Sequence, residues 1–336
     1  MRKIITQLNR LVREFIGLSR HYGISYAFYD LLWWLCFYFR TPLSYKISTF
    51  AIRKKTEWLD KYIGEKYKDI IDSYRSRQAD EQPAPTDYPI WVFWGQGESE
   101  MPILVKACYN QLRRNNANVR LVTNGNLHEY ITLPDIVLTK VGDGRITWAH
   151  FSDILRMTLL AKYGGLWLDA TVWTPGMLPI DKLQLLPLFS ANGTSGCSSN
   201  SIRFWTSFKW NWSTWCLSAS RPNHPLFCFV SNMLTVIAEQ EVYWPDYVLQ
   251  DYLIHYACLH FPTVADDMDN IEKIPCNHRN DLASVMNEPY NADTYNKLIA
   301  TDFVFKLSFR SPWRETTEQG QQTFYGKLIS TNNGAN

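Results

Sequence analysis

The stretch Trp148–Trp173, WAHFSDILRMTLLAKYGGLWLDATVW, decides how this chain folds. Phe151–Lys162 carries apolar residues at 151, 154, 155, 157, 159, 160 and 161, the pattern of a largely buried helix. Ser152 is the expected cap at its start, and Gly164 suits the left-handed position just past its end. Asp153 and Arg156 are three apart and share a face. On an otherwise apolar helix that face must look into polar space. Leu166-Trp167-Leu168 then reads as a short buried strand with Asp169 at its carboxyl end. A helix, a glycine stop and a strand ending in a carboxylate can build an ion and phosphate site. Mg²⁺ or Mn²⁺ would sit on Asp169, with water and diphosphate oxygens as further ligands.

Working outward, the pattern alternates. Ile90–Trp94 reads as a strand, Met101–Asn115 as a helix and Val119–Thr123 as a strand closed by the turn Asn124-Gly125-Asn126. Asp135–Thr139 is the expected third strand, and the opening stretch supplies a helix and a fourth. Helices are expected near His224–Glu239 and Asp246–Leu259, and a late strand at Phe303–Phe309. This alternation predicts an α/β fold with a mostly parallel sheet, and ligands outside the carboxyl ends of its strands. QADEQPAPTDYP (78–89) is the expected linker between a helical region, 1–77, and the main domain, 90–330.

Composition narrows the partners. Residues 1–55 hold ten Lys/Arg against Glu14 and Asp30, leaving 24 basic against 30 acidic residues in the remainder. A basic end on a mildly acidic body points to an anionic surface. In ISYAFYDLLWWLCFYF (24–39) the uninterrupted apolar run is nine residues, against the roughly 20 that span a bilayer. No small-residue cleavage site follows it, so a signal peptide is not expected. Trp33, Trp34, Tyr38 and Phe39, flanked by Arg40, suit an interfacial segment on the cytoplasmic leaflet. A core helix docked on the main domain is the other reading. Nucleic acid is not the expected partner. The seven scattered cysteines suggest neither a zinc site nor a disulfide framework, and reduced thiols in a cytosolic protein are the simplest reading.

IWVFWGQG (90–97), MPILVKAC (101–108), AHFSDILR (149–156), YGGLWLDATV (163–172) and VFKLSF (304–309) carry a resemblance. Over about residues 88–310 the chain resembles the capsular polysaccharide synthesis family of bacterial glycosyltransferases, related to the family 32 transferases with the DxD motif. The resemblance implies a GT-A-like fold and a retaining transferase that uses a nucleotide-diphosphate sugar. It places Asp153 at the donor-sugar hydroxyls, Arg156 near sugar or phosphate, and Asp169 at the first Asp of DxD, with Gly164 and Gly165 in the same cofactor-binding motif. Thr171 stands where the second Asp would be, which leaves three readings: Asp169 holds the ion through water, a later group such as His255 completes the site, or no metal is needed. Trp94 is expected to stack on the nucleobase, with Gln96 and Gly97 beside it. Asp251 and His255 share a helix face and resemble the polar group near the anomeric carbon or metal. Lys306 would reach the diphosphate. The cluster Trp205, Trp210, Trp212 and Trp215 reads as core before acceptor stacking.

The expected activity is hexose transfer to a lipid-linked saccharide of a capsule or O-antigen repeat, at the cytoplasmic face of the inner membrane. A non-catalytic sugar-nucleotide or glycan-binding role is the rival, favoured by Thr171. No G-x-G-x-x-G follows the first strand and no phosphate-loop lysine motif occurs, which disfavours an oxidoreductase and a nucleotide hydrolase.

Overall fold

Two strands with alternating sides organise the molecule. Ile90 and Val92 share one apolar cluster with Leu166 and Leu168, whereas Trp91 and Trp167 join a second cluster on the opposite face. That is the period of two that a strand imposes. The computed structural model describes residues 2–39, 41–75, 85, 87–191, 212–270, 274 and 276–333.

The strands are β1 (Ile90–Phe93), β2 (Val119–Val122), β3 (Gly165–Leu168), β4 (Val172–Trp173), β5 (Leu188–Ser190), β6 (Cys216–Ala219) and β7 (Phe305–Lys306). Five form the central sheet in the order β2-β1-β3-β6-β5. β1 pairs in parallel with β2 and β3, while β6 runs antiparallel to both β3 and β5. The sheet is therefore mixed, with β6 alone running against the other four. β4 and β7 form a separate antiparallel pair.

Helices lie on both faces. In the N-terminal region they are α1 (Arg2–Tyr22), α2 (Ile24–Phe39), α3 (Pro42–Lys66) and α4 (Lys68–Arg75). Next come α5 (Ile103–Asn115), α6 (Leu127–Tyr130), α7 (Asp135–Gly142), α8 (Trp148–Tyr163) and α9 (Ile180–Leu183). α10 (Pro225–Gln240) and α11 (Leu249–His260) follow. Val105, Tyr109 and Leu112 of α5 cover one face of the sheet. α8, α10 and α11 cover the other, and Leu18, Tyr26, Leu59 and Ile63 from the N-terminal helices belong to that same cluster. Among the described residues no helix is long and apolar enough to cross a membrane.

Three expectations are corrected. Asp135–Thr139 begins α7 and is not a strand. Val137 and Val141, four apart, are its buried apolar positions, and Asp135 sits in the first turn where the helix dipole favours an acid. The late strand shrinks to the two residues of β7. Ser152 does not cap α8: the Thr147 hydroxyl accepts the His150 N–H at 3.3 Å, a full turn earlier. The expected linker and the loop at 193–200 lie largely or wholly outside the described residues, as do Trp205 and Trp210.

A buried ion cluster joins the N-terminal helices to the body. The Lys55 ammonium lies 2.6 Å from Asp30 and 2.9 Å from Asp246, and the Tyr26 hydroxyl donates to Asp246 at 2.7 Å. Removing one member of such a cluster strands uncompensated charge. Lys55→Ala is expected to cost about 3–5 kcal/mol in urea denaturation. Asp30→Asn should cost less, because it leaves the Lys55–Asp246 pair in place.

Candidate active site

Parallel pairing of β1 with β3, Ile90 opposite Leu166 and Trp91 opposite Trp167, brings their carboxyl ends side by side. Asp169 leaves β3 at this edge, its backbone N–H donating to the Trp215 carbonyl at 2.9 Å. The start of α8 passes the same edge, where Trp148 and Phe151 pack on Phe93. One turn on, Arg156 is 5% exposed and reaches across the sheet end. Its Nη1 donates to Asp153 at 2.5 Å and to Gln250 of α11 at 2.9 Å, and its Nη2 donates to Asp169 Oδ1 at 3.2 Å.

A second cation arrives from far along the chain. β7 pairs with β4, setting Val172 opposite Lys306. The Lys306 ammonium therefore donates to Asp169 Oδ2 at 2.7 Å and to the Thr171 hydroxyl at 3.1 Å. Asp169 Oδ1 also accepts the Trp167 indole N–H at 3.0 Å. Burial alone would raise the Asp169 pKa, but Lys306 and Arg156 outweigh it and hold the carboxyl well below the usual range. Its neighbours go the other way. Burial raises Asp153 to about 7 against the pull of Arg156, with Asp251 and Asp169 adding to the rise. Burial likewise raises Asp251 to about 6, although the Trp212 indole donates to it at 2.7 Å.

Asp153, Arg156, Asp169, Thr171, Asp251 and Lys306 are thus linked through one network of contacts and fields. Trp94 joins its rim: the ring meets Phe309, three residues past Lys306, edge-on at 5.7 Å. Gln96 is exposed beside it, and Gly97 takes φ +92° at the turn that follows. Gly164 and Gly165 are corrections. They stand at the amino end of β3, roughly 13 Å from Asp169 at about 3.3 Å per residue. A Cβ on Gly165 would lie 2.3 Å from the Pro89 carbonyl oxygen, so close strand packing explains that glycine without a ligand.

The expected set Asp169, Thr171 and His255 does not fit a divalent ion. Each Asp169 oxygen already accepts from a cation, and the Thr171 hydroxyl accepts from the same lysine. Among the described residues no three His, Cys, Asp or Glu side chains are grouped to hold a metal. His255 lies one turn beyond Asp251, half-buried, with burial and His260 pushing its ring down to about 4. Gln250 and Trp167 are site residues the motif did not mark. Buried Gln250 Nε2 and Arg156 Nε have no hydrogen-bond partner among the described residues, which leaves two donors unspent.

This arrangement sets two cations on one strand-end carboxylate of an α/β protein. The chain belongs to the family of capsular polysaccharide synthesis proteins, which matches residues 42–328. It is also similar to the O-glycosyltransferase braB of Annulohypoxylon truncatum, 30% identical over 99 residues. That match covers 26% of this chain and about a quarter, 24%, of the relative's length. Among solved structures it is similar to the PaToxG glycosyltransferase, at 12% identity and TM-score 0.37, covering 77% of this chain and 99% of the other.

The raised Asp153 pKa has a thermodynamic signature. A carboxyl raised on folding keeps a proton that the unfolded chain has released, so its contribution to stability falls as pH rises from about 4 towards about 7. Asp153→Asn keeps the neutral shape and removes that loss. The change in melting temperature on Asp153→Asn should therefore be more positive at pH 8 than at pH 5, read by scanning calorimetry. An equal change at both pH values would contradict the assignment.

Proposed function

We propose that the chain is a glycosyltransferase that binds a nucleotide-diphosphate sugar at the carboxyl edge of β1 and β3 and passes its hexose to a saccharide acceptor. The observation that carries this reading is the convergence of two fixed cations, Arg156 and Lys306, on a single strand-end carboxylate. Asp169 balances one of the two charges and holds both cations in place. While Asp153 and Asp251 are protonated the site keeps one surplus positive charge, which suits a diphosphate and stabilises the charge that grows on it as the sugar–phosphate bond breaks. Trp94 offers a ring to the base, and Asp153 and Asp251 offer carboxyls to the sugar hydroxyls. Departure of the diphosphate on the face where the acceptor attacks, with retained configuration, belongs to the same proposal. Because the donor set does not fit a divalent ion, Lys306 takes the charge-neutralising role expected of one, and turnover does not depend on added metal.

The acceptor in this reading is lipid-linked, and the protein works at the cytoplasmic face of the inner membrane. Support comes from α1, which exposes Leu8, Val12 and Ile16 four residues apart with exposed Arg13 and Arg20 nearby. Ile24 and Phe28 of α2 are exposed as well. An apolar stripe edged by basic residues suits an anionic bilayer surface.

Release of sugar from a panel of nucleotide-diphosphate hexoses tests the chemistry. Lys306→Ala and Asp169→Asn should each lower turnover about 100-fold or more, and a chelator should leave the wild type unchanged. Unaltered turnover in both variants would remove these residues from the site. Donor binding with no turnover in the wild type would favour a non-catalytic binding role. For the membrane, joint replacement of Leu8, Val12 and Ile16 by Glu should reduce co-sedimentation with phosphatidylglycerol vesicles at least tenfold, given about 1.5–3 kcal/mol per apolar side chain buried. Undiminished sedimentation would contradict the surface assignment.

A further inference from the structure

Beside the first turn of α8, the N-terminal helices and the body line a pocket of about 310 Å³, at the small end of ligand sites. Arg10 and Trp34 line it from α1 and α2, His150 from α8, and Trp244 and Tyr247 from the segment leading into α11. His150 is 8% exposed, yet neither ring nitrogen has a hydrogen-bond partner among the described residues, and nor does the Trp244 indole N–H. Three buried polar atoms around one pocket are a concentration of unmet hydrogen bonding that a native fold rarely leaves without a ligand or water.

The rings around them are arranged face and edge. His150 stacks on Trp244 with centroids 4.8 Å apart and planes 11° from parallel, and meets Tyr247 at 5.8 Å. Trp34 meets Tyr247 edge-on at 5.7 Å and carries the Arg10 guanidinium 4.7 Å from its ring centroid. The acids of the lining are already engaged: Asp30 and Asp246 by Lys55, and Glu14 by the Tyr243 hydroxyl at 2.6 Å. Arg145 is likewise paired with Asp143, so beside the Arg10 guanidinium what the pocket has to offer is neutral. Burial pushes the His150 pKa down to about 4, so at neutral pH one ring nitrogen donates and the other accepts.

A ligand that matches must present apolar faces to rings while giving and taking hydrogen bonds at its edge. A pyranose ring does both, with C–H groups on its face and hydroxyls at its rim. We propose that this pocket binds a sugar residue of the acceptor glycan, with His150 and Trp244 bonding its hydroxyls beside the rings of Trp34 and Tyr247. The proposal rests on the transferase reading and deepens it. Its position agrees: His150 is one turn before Asp153 on α8, about 4.5 Å along the axis, and Tyr247 precedes Gln250 by three residues. The N-terminal helices are then a wall of the acceptor site.

Saturation-transfer NMR of the full chain with methyl and p-nitrophenyl glycosides of common hexoses, without donor, tests this directly. Uridine and guanosine diphosphate binding is measured in parallel by calorimetry. At least one glycoside should bind the wild type. His150→Ala and Tyr247→Ala should weaken it at least tenfold while changing nucleoside diphosphate affinity less than twofold. Tyr247 is 48% exposed, so its replacement keeps the test independent of folding. Failure of every glycoside to bind at millimolar concentration, or equal binding by both variants, overturns the proposal. If glycosides bind the wild type through these residues but neither diphosphate does, the pocket stands as a sugar site and the assignment of the donor edge falls.

Discussion

A carboxylate at the end of a buried strand must be neutralised, and most of the site follows from how Asp169 meets that demand. It is held between Arg156 of α8 and Lys306 of β7, at 3.2 and 2.7 Å. Two neighbouring elements, α8 and β3, and one from far along the chain, β7, are pinned to one point. The departure at Thr171 takes its meaning from the same contact. A second aspartate there would give Lys306 two counterions and cancel its charge against protein. A hydroxyl accepts the lysine's hydrogen bond at 3.1 Å without neutralising it. The ammonium is left with charge to give to an anionic ligand. In the proposed mechanism Thr171 and Lys306 are two halves of one adjustment, a fixed cation in the role of a bound one.

How much of this could be read beforehand depends on distance along the chain. The strand β3, the helix α8 and the positions of Asp153, Arg156 and Asp169 were legible because their signals lie within 26 consecutive residues. Lys306 was legible as a residue of the site but not as the partner of Asp169, 137 positions earlier, since pairing of β7 with β4 leaves no local mark. Gln250 was passed over for its charged neighbour Asp251, although it is Gln250 that bonds Arg156. Gly164 and Gly165 were over-read. Their conservation of space against Pro89 and Ala219 is a packing matter at the far end of the strand. Asp135–Thr139 is a short apolar run, and such runs suit a strand or a buried helix until neighbours decide.

The N-terminal region shows the same limit in another form. The aromatic run of α2 drew the membrane reading, yet Trp33 is buried beside Lys55, whose ammonium lies 4.5 Å from its ring centroid. A helix apolar on all sides is suited to burial, whereas a surface helix keeps one apolar stripe. That stripe is on α1, where the average composition is polar and the period of Leu8, Val12 and Ile16 carries the signal. Composition marks the region, but which of its helices keeps an exposed apolar stripe depends on packing. Burial of Lys55 with Asp30 and Asp246 ties one side of α2 and α3 to the body, while Ile24 and Phe28 of α2 stay exposed, as does the stripe of α1.

The three acids of the site have been pushed apart by their surroundings, and this divides their work. Asp169, facing two cations, stays ionised throughout the ordinary pH range. Asp153 and Asp251, raised by burial to about 7 and about 6, change charge near neutrality. With both protonated, the site of Arg156, Lys306 and Asp169 carries one net positive charge, and each neutral acid can donate a hydrogen bond. With both ionised, the net charge is negative and both can only accept. A diphosphate favours the first state, and sugar hydroxyls can bond to either. Separated titrations of this kind are how neighbouring carboxyls come to hold different roles. Here the separation comes from Lys306: Arg156 faces both Asp153 and Asp169, whereas the lysine bonds Asp169 and holds that carboxyl ionised against its burial.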